Sequence, residues 1–213
     1  MLSPRVSAHL GLGAASLVLI SCVCLLHSGA SEAKHALRAR PSEIAPAFVL
    51  FDAAGKSVSL SACRGQTVAL CFSSINCPVS NEYRQRLADL VRRYSGDRRV
   101  EILRINIGHG LPLGTKNTFG GVEVASAATA IPGPERLLMD PNSEVAAHYA
   151  VDVTPTFFVI DNQGIVRYRG SFDDNRNAAQ VASHYCEDAL DDVLHDRTVA
   201  EPLTAPFGCT VKW

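Results

Sequence analysis

The sequence predicts a domain of the α/β class built on a mixed β-sheet. Residues 67–72 form an apolar run, residues 79–94 have helical periodicity, and residues 99–107 form a second apolar run. A strand, a helix and a strand in this order make a βαβ unit, in which a right-handed crossover joins two parallel strands. Residues 156–160 and 165–170 flank a short polar turn and predict an antiparallel hairpin. A sheet that holds both kinds of strand pair is mixed.

The shorter segments extend this pattern on both sides of the βαβ unit. A small hairpin is expected over residues 48–60, before the main sheet. Residues 135–139 predict another strand, and residues 143–149 predict a short helix whose N-cap is Asn142 or Ser143. Both elements lie between the βαβ unit and the antiparallel hairpin.

An amphipathic helix over residues 177–194 is expected to close the domain. Two stretches lack a clear periodicity, namely the glycine-rich loop 108–121 and the apolar segment 121–130. The paired acids Asp173 and Asp174 are interpreted as caps for the closing helix rather than as a cation site. The arginines on the first helix and at its exit are interpreted as a solvated face: Arg84, Arg86, Arg92, Arg93, Arg98 and Arg99.

Composition fits one globular domain with added ends. The chain has 213 residues, of which 47% are hydrophobic and 19% charged, and its net charge is −1. Neither nucleic acid nor an anionic membrane surface is an expected partner, because no run of lysines or arginines is present. The expected segments are a signal peptide or N-terminal anchor (1–30), a polar linker (31–43), the domain (44–200) and a C-terminal tail containing Cys209 (201–213).

The first segment has the order of features found in an export signal. Arg5 precedes an apolar stretch over residues 10–26, and small residues follow at 28–31. The apolar stretch is long for a signal core and short for a spanning helix, so an uncleaved anchor remains an alternative. The protein is therefore expected to be exported, either periplasmic or anchored to the membrane and facing the periplasm.

The cysteines beyond the leader are odd in number: Cys63, Cys71, Cys77, Cys186 and Cys209. In an oxidising compartment an odd number leaves at least one thiol outside a permanent disulfide, as a redox enzyme requires. Cys71 lies inside a predicted strand and is interpreted as a small buried hydrophobe, whereas Cys63 and Cys186 are ambiguous. No structural zinc spacing is present, and neither a metal nor a cofactor is expected.

Cys77 is the strongest candidate for chemistry. It follows the predicted strand 67–72 directly, and Pro78 occupies the helical position that proline tolerates best. A helix that begins there directs free backbone N–H groups and the positive end of its dipole towards Cys77. Such surroundings favour the thiolate, which is the nucleophilic form of cysteine.

The position of Cys77, the Thr154-Pro155 pair before a strand and the turn at residues 161–164 resemble the thioredoxin fold over residues 44–194. The motifs around residues 76–83, 168–174 and 204–211 further resemble exported redoxin-domain proteins of the alkyl hydroperoxide reductase and thiol-specific antioxidant superfamily. This resemblance implies a three-layer α/β/α sandwich. It also implies a cis Pro155 facing Cys77, with Thr154 presenting its backbone to an extended partner.

The chain departs from the thioredoxin pattern at Ser80, where a disulfide exchanger has its resolving cysteine. Cys77 must then act as a monothiol or use a distant thiol, for which Cys209 in the tail is the preferred candidate. An equally weighted alternative pairs Cys209 with Cys186 or Cys63. The expected activity is thiol-dependent oxidoreduction of protein disulfides, with Cys77 and Cys209 catalytic, substrate binding by Pro78, Thr154 and Pro155, and an external thiol as reductant.

A peroxiredoxin-like peroxidase is the first alternative function, with peroxide as substrate. Resemblance to that family is incomplete, because Leu70 stands where a proline is expected, although Ser74 supplies a suitable hydroxyl. The family also has an arginine near the position of Pro155, and the sequence does not place Arg167 or Arg169 at the site.

A third interpretation is a non-catalytic module that delivers copper or binds partners. Copper delivery would need a second cysteine where this chain has Asn81, with help from His109 or His148. A reactive Cys77 would argue against a purely structural interaction module.

Overall fold

The computed structural model describes residues 39–52, 54–108, 118–119, 122–123 and 136–213. The strands are β1 (Val49–Asp52), β2 (Ser57–Ser59), β3 (Thr67–Ser73), β4 (Val100–Ile107), β5 (Thr118–Phe119), β6 (Val122–Glu123), β7 (Arg136–Asp140), β8 (Val153–Thr154), β9 (Thr156–Ile160), β10 (Val166–Gly170) and β11 (Cys209–Thr210). The helices are α1 (Pro78–Glu82), α2 (Arg84–Arg93), α3 (Glu144–His148) and α4 (Tyr185–Leu194).

Seven strands form the central sheet, in the order β10-β9-β3-β4-β7-β1-β2. The pairs β3–β4 and β4–β7 are parallel, and the other pairs are antiparallel. The predicted βαβ unit and the predicted hairpin are both present, so the mixed sheet is confirmed. Two short ribbons, β5–β6 and β8–β11, stand apart from this sheet.

Two hydrophobic clusters lie on opposite faces of the sheet, and β3 contributes to both by strict alternation. Leu70 and Phe72 enter the cluster that contains α3, whereas Ala69 and Cys71 enter the cluster that contains α2 and α4. This alternation follows from the two-residue period of a strand whose faces are both covered. Helices therefore cover both faces, and the three-layer α/β/α sandwich is confirmed.

The predicted first helix is interrupted. Residues 79–94 were expected to be continuous, but Tyr83 ends α1 and precedes α2, with its backbone N–H shared between the carbonyls of Val79 and Asn81. The helical period of residues 79–94 places Tyr83, Leu87, Leu90, Val91 and Tyr94 on one face; the first four are buried and Tyr94 is half-buried. The interruption occurs where the Tyr83 side chain enters the core.

The closing helix begins at Tyr185, so the prediction that it starts at residue 177 is wrong. Local side-chain hydrogen bonds replace helical ones in the intervening stretch. The Asn177 side chain accepts a hydrogen bond from the backbone N–H of Ala179, and Asp174 accepts one from the N–H of Ala182. Asn and Asp favour such turns because their short side chains compete for backbone donors.

The side chain that accepts hydrogen bonds at the start of helix α3 belongs to Asp140, which precedes the two predicted N-cap residues. Ser143 occupies the N-cap position but makes no side-chain cap, with a φ of 56°. Instead, the Asp140 carboxylate accepts a hydrogen bond of 2.9 Å from the N–H of Ala146. Burial raises the pKa of Asp140, while the N–H donors of the helix oppose that rise. Ser143 at the N-cap position is therefore as predicted, whereas the capping hydrogen bond is made by Asp140 and not by the Ser143 side chain.

Several predicted segments lie outside the described residues. These are the leader 1–30, residues 31–38 of the linker, most of the loop 108–121, and residues 124–130 of the apolar segment.

At the start of the described chain, Ser42 donates a backbone hydrogen bond to the carbonyl of Val166, and the N–H of Val166 donates one to the carbonyl of Glu43. None of the helices in the described residues has the length and apolarity that a membrane crossing requires.

Candidate functional site

Cys77 lies at the junction between β3 and α1, where it is the N-cap of the helix. Its backbone N–H donates to the carbonyl of Ser74 at 3.0 Å, which fixes the turn. The backbone N–H of Ser80 donates to the Cys77 sulfur at 3.4 Å. Pro78 is the first helical residue, so its missing N–H removes no helical hydrogen bond. The structure therefore directs a helix-terminal donor at the sulfur, an arrangement that stabilises a thiolate.

The Thr154–Pro155 peptide bond is cis, as predicted. This bond joins β8 to the start of β9 and brings the carbonyl oxygen of Thr154 to 3.1 Å from the Cys77 sulfur. Thr154 is buried, and Thr156 donates its hydroxyl to the carbonyl of Val153 at 2.6 Å. Thr154 and Pro155 thus lie beside Cys77, the location that the resemblance implies for them.

The C-terminal tail returns across the domain to this site. Its path is set first by Thr204, whose N–H donates to the carbonyl of Arg169 and whose hydroxyl accepts from the N–H of Ser171, both at 3.0 Å. Further along, β11 pairs with β8, so that Cys209 lies opposite Thr154 and Thr210 opposite Val153. The tail therefore forms a strand on the edge that leads to Cys77.

Cys77 and Cys209 form a disulfide that spans 132 residues of sequence, with 5.9 Å between their Cα atoms. That distance is ordinary for a protein disulfide. The alternative pairing of Cys209 with Cys186 or Cys63 is wrong. Cys63 belongs to the cluster on the other face of the sheet, and Cys186 is completely buried in α4.

The thiols outside this disulfide lie in the core. Burial raises the pKa of Cys63, and it raises the pKa of Cys186 well above the ordinary value. Cys71 is buried in β3, as predicted for a small hydrophobe. Protonated, inaccessible thiols are poor nucleophiles. Thiol chemistry among the described residues is therefore expected at Cys77 and Cys209.

A buried polar group beside the site escaped the sequence analysis. The Tyr83 hydroxyl donates to Asp173 at 2.8 Å, and Arg86 forms an ion pair with the same carboxylate at 2.5 Å. Burial, reinforced by Asp173, raises the pKa of the Tyr83 phenol far above its ordinary value. The interpretation of Asp173 as a helix cap is wrong, and so is the assignment of Arg86 to a purely solvated face.

Tyr83 also connects the tail to the core through its ring. The rings of Phe172 and Phe207 each lie 6.1 Å from the Tyr83 ring, and the Phe157 ring lies 6.4 Å away. Phe207 belongs to the tail, two residues before Cys209. The aromatic cluster therefore holds the tail close to the disulfide.

Arg167 and Arg169, the two arginines considered for a peroxidase site, have partners other than Cys77. Arg167 forms an ion pair with Asp161 at 2.7 Å, and Arg169 donates to the carbonyl of Ala150 at 2.6 Å. Within the described residues, no group of three or more His, Cys, Asp or Glu side chains could hold a metal. His148 is exposed on α3, and His109 lies outside the described residues.

Comparisons with known proteins agree with this geometry. A protein from Geobacillus kaustophilus, described as an uncharacterized conserved protein, is 25% identical, with a TM-score of 0.69 over 82% of this chain and 93% of its own. A hypothetical protein from Sinorhizobium meliloti 1021 is 27% identical, with a TM-score of 0.68 over 81% and 94%. A putative protein disulfide isomerase from Bacteroides thetaiotaomicron shares the fold at 20% identity, with a TM-score of 0.54 over 73% and 91%.

A search of curated proteins found no match. The AhpC/TSA family, in contrast, matches residues 41–169, which is more than half of the chain and includes Cys77 and Pro155. The sandwich, the cysteine at the strand-to-helix junction and the facing cis-proline are together those of a thioredoxin-like redoxin domain, and the chain belongs to the AhpC/TSA family.

Proposed function

We propose that this protein is an exported thiol-disulfide oxidoreductase that reduces disulfides of protein substrates, with Cys77 as nucleophile and Cys209 as resolving cysteine. The observation that carries the proposal is the Cys77–Cys209 disulfide at the N-terminus of α1, beside the cis Pro155. A structural disulfide would not require a helix-terminal N–H donor directed at one of its sulfurs. A redox-active one benefits from that donor, because it stabilises the departing or attacking thiolate.

The reductive half of the cycle begins with both enzyme cysteines as thiols. The Cys77 thiolate attacks one sulfur of the substrate disulfide, forms a mixed disulfide and releases the other substrate sulfur as a thiolate, which takes up a proton. Cys209 then attacks the Cys77 sulfur as a thiolate, closes the enzyme disulfide and releases the second substrate thiol. Two electrons pass from the enzyme to the substrate, and Pro78, Thr154 and Pro155 form the surface that orients the partner.

An external dithiol returns the enzyme to its reduced form. Cys77 is only 2% exposed in the disulfide state, whereas Cys209 is half-buried. The external thiolate therefore attacks the sulfur of Cys209 and expels Cys77, whose thiolate is the better leaving group because Ser80 donates to it. The dithiol then displaces itself from Cys209 by closing its own disulfide.

The test uses the full-length mature protein and its Cys77→Ser and Cys209→Ser variants with a disulfide-bonded protein substrate. With Cys209 replaced, the mixed disulfide between Cys77 and the substrate is expected to persist and to be visible on non-reducing gels. With Cys77 replaced, no mixed disulfide should form. Cys186→Ala serves as the matched control, because that thiol is buried and outside the cycle. Normal turnover by the Cys209 variant would remove its resolving role, and normal turnover by the Cys77 variant would overturn the proposal.

Peroxide reduction is the second candidate, favoured by the family match and by the same disulfide. Cys77 would attack the peroxide, become a sulfenic acid and release an alcohol or water, after which condensation with Cys209 would release water and form the disulfide. Peroxide-dependent consumption of a dithiol, absent in the Cys77→Ser variant, would establish this activity. Disulfide exchange is preferred because Arg167 pairs with Asp161 and Arg169 donates to the carbonyl of Ala150.

Export is part of the proposal. The apolar stretch at residues 10–26 with small residues after it supports a signal peptide or anchor at 1–30, followed by a linker to the domain at 44–200. An exported location also suits a disulfide, which persists in oxidising compartments. N-terminal sequencing of the protein from fractionated cells tests this: a cleaved N-terminus near residue 30 indicates a signal peptide, and an intact N-terminus in the membrane fraction indicates an anchor.

A further inference from the structure

We infer that the tail segment 206–211 occupies the partner-binding groove as a substrate would, and that the groove selects an extended protein segment with an aromatic residue two positions before its cysteine and a glycine directly before it. This inference rests on the proposed function and adds the substrate class. The groove is formed by β8, the cis Pro155 and the ring of Tyr83. The tail lies in it with the sequence Pro206-Phe-Gly-Cys-Thr-Val.

Backbone pairing explains why the bound segment must be extended. Cys209 and Thr210 pair with Thr154 and Val153 as an antiparallel ribbon, and the N–H of Val211 continues the ribbon by donating to the carbonyl of Asp152 at 2.9 Å. Main-chain hydrogen bonds of this kind provide affinity for any extended segment, but they do not distinguish one sequence from another. Selectivity must come from the side chains on either side of the cysteine.

The position before the cysteine accepts no side chain. A Cβ atom added to Gly208 would overlap the carbonyl oxygen of Thr154 and would lie 2.7 Å from the carbonyl carbon of that residue. Both atoms belong to the backbone next to Pro155, so they cannot move aside as a flexible side chain could. The groove therefore requires glycine at this position in a segment that binds in the same register.

The position two before the cysteine lies over an aromatic surface. Phe207 is partly buried against the cluster around Tyr83, whose ring is 6.1 Å away. The hydrogen bond from the Tyr83 hydroxyl to the buried Asp173 holds that ring in place. An aromatic side chain gains both burial and an edge or tilted ring contact there, whereas an alanine gains neither. The tail's own sequence thus satisfies each side-chain requirement of the groove.

The tail and a free peptide compete for the groove, so the rate at which a peptide reacts with Cys77 reports how strongly the tail binds. A tethered segment has a high local concentration, so a free segment binds only when the tail leaves the groove. Removing the aromatic ring from the tail, without changing the groove, should make the groove more available to a peptide. Phe207→Ala changes only the occupant, because the residues that line the groove belong to β8, α1 and their junctions.

The experiment uses full-length protein carrying Cys209→Ser together with Cys22→Ser and Cys24→Ser, so that Cys77 is the remaining thiol outside the buried Cys63, Cys71 and Cys186. Three peptides are activated at cysteine as mixed disulfides with 2-nitro-5-thiobenzoate: Ala-Pro-Phe-Gly-Cys-Thr-Val-Lys, a version with Phe replaced by Ala, and a version with Gly replaced by Ala. Attack by the Cys77 thiolate on the peptide sulfur forms a protein–peptide disulfide and releases the coloured thiolate, which gives a second-order rate constant.

We expect the parent peptide to react about tenfold faster than either altered peptide, the difference that an aromatic contact or a backbone overlap produces. In protein that also carries Phe207→Ala, the rate with the parent peptide should rise while its preference over the altered peptides persists. The matched control is Lys212→Ala, an exposed position outside the segment 206–211, which should leave both rates unchanged.

Reaction with the symmetrical aromatic disulfide 5,5′-dithiobis(2-nitrobenzoate) measures the reactivity of Cys77 independently of any peptide selectivity. Equal rates for the three peptides, with rapid reaction of the aromatic disulfide at Cys77, would overturn the selectivity and leave the proposed function intact. A Cys77 that reacts with neither the peptides nor the aromatic disulfide would overturn the proposed function and the inference together.

Discussion

Replacing Gly208 by alanine should weaken the Cys77–Cys209 disulfide without touching either cysteine. The added methyl group would overlap the carbonyl oxygen of Thr154 and would lie 3.2 Å from the Cδ atom of Pro155. The Thr154 carbonyl oxygen is 3.1 Å from the Cys77 sulfur. A tail that shifts away from Thr154 to relieve the overlap therefore also moves Cys209 away from Cys77. In the reduced form the tail can leave β8 and relieve the overlap, whereas the disulfide holds it there, so the strain is larger in the oxidised form.

Forcing a methyl group into a packed site costs about 1–3 kcal/mol. For a two-electron couple, about 1.4 kcal/mol corresponds to 30 mV, so the reduction potential of Gly208→Ala should rise by roughly 20–65 mV. The equilibrium constant for closing the disulfide should fall by about fivefold to 150-fold. The sign is fixed by the state that carries the strain: destabilising the disulfide makes it easier to reduce.

The measurement equilibrates the protein in defined dithiol–disulfide buffers and quantifies the Cys77–Cys209 bond by alkylation and mass spectrometry. Thr210→Ala is the control, because it adds no atom to the ribbon and lies on the other side of Cys209. Thermal unfolding temperatures of the wild type and Gly208→Ala should differ less in the reduced forms than in the oxidised forms. A potential for Gly208→Ala that equals that of the wild type would refute the assigned contact between the tail and Thr154.

Two further predictions concern the anchor of the tail and the buried thiols. Thr204→Val removes the hydroxyl that accepts from the N–H of Ser171 and bonds to Tyr168, so it should lower the unfolding free energy by about 1–3 kcal/mol, measured by urea denaturation. Thr210→Ala, which removes no recorded side-chain hydrogen bond, should have little effect. The pKa of Cys186 is raised from an ordinary value of 9.0, so above about pH 9 the unfolded chain loses a proton that the folded chain keeps. Unfolding free energy should then fall with rising pH, by up to about 1.4 kcal/mol per pH unit for that proton, and Cys186→Ala should make the slope shallower; an identical slope would contradict this assignment.

The strands of the central sheet could be predicted because each is a local apolar run. β3 and β9 are buried along their whole length, so their sequences lack polar interruptions. Helix boundaries were less predictable, since side-chain hydrogen bonds at Asn177 and Asp174 delay the start of α4. These bonds depend on loop geometry that periodicity does not encode.

Cys77 and the cis Pro155 could be identified at the candidate site because each lies beside a long strand and matches a known pattern. The group formed by Tyr83, Arg86 and Asp173 could not, because 87 residues separate Arg86 from its carboxylate partner. Periodicity correctly placed Tyr83 on a buried face, but it could not specify which acid would meet its hydroxyl. A buried phenol needs a partner, and that requirement was the one available signal.

The tail strand was missed for a related reason, since β11 has only two residues. Because Cys209 lies on this strand, it must reach Cys77 differently from a resolving cysteine on α1. A thiol at the position of Ser80 could resolve a mixed disulfide from within the helix, leaving the partner on the β8 edge. Cys209 reaches Cys77 only when its own strand pairs with that edge. Under the proposed function, resolution therefore requires the tail to replace the partner's backbone, so that closing the enzyme disulfide and expelling the reduced partner become one coupled step.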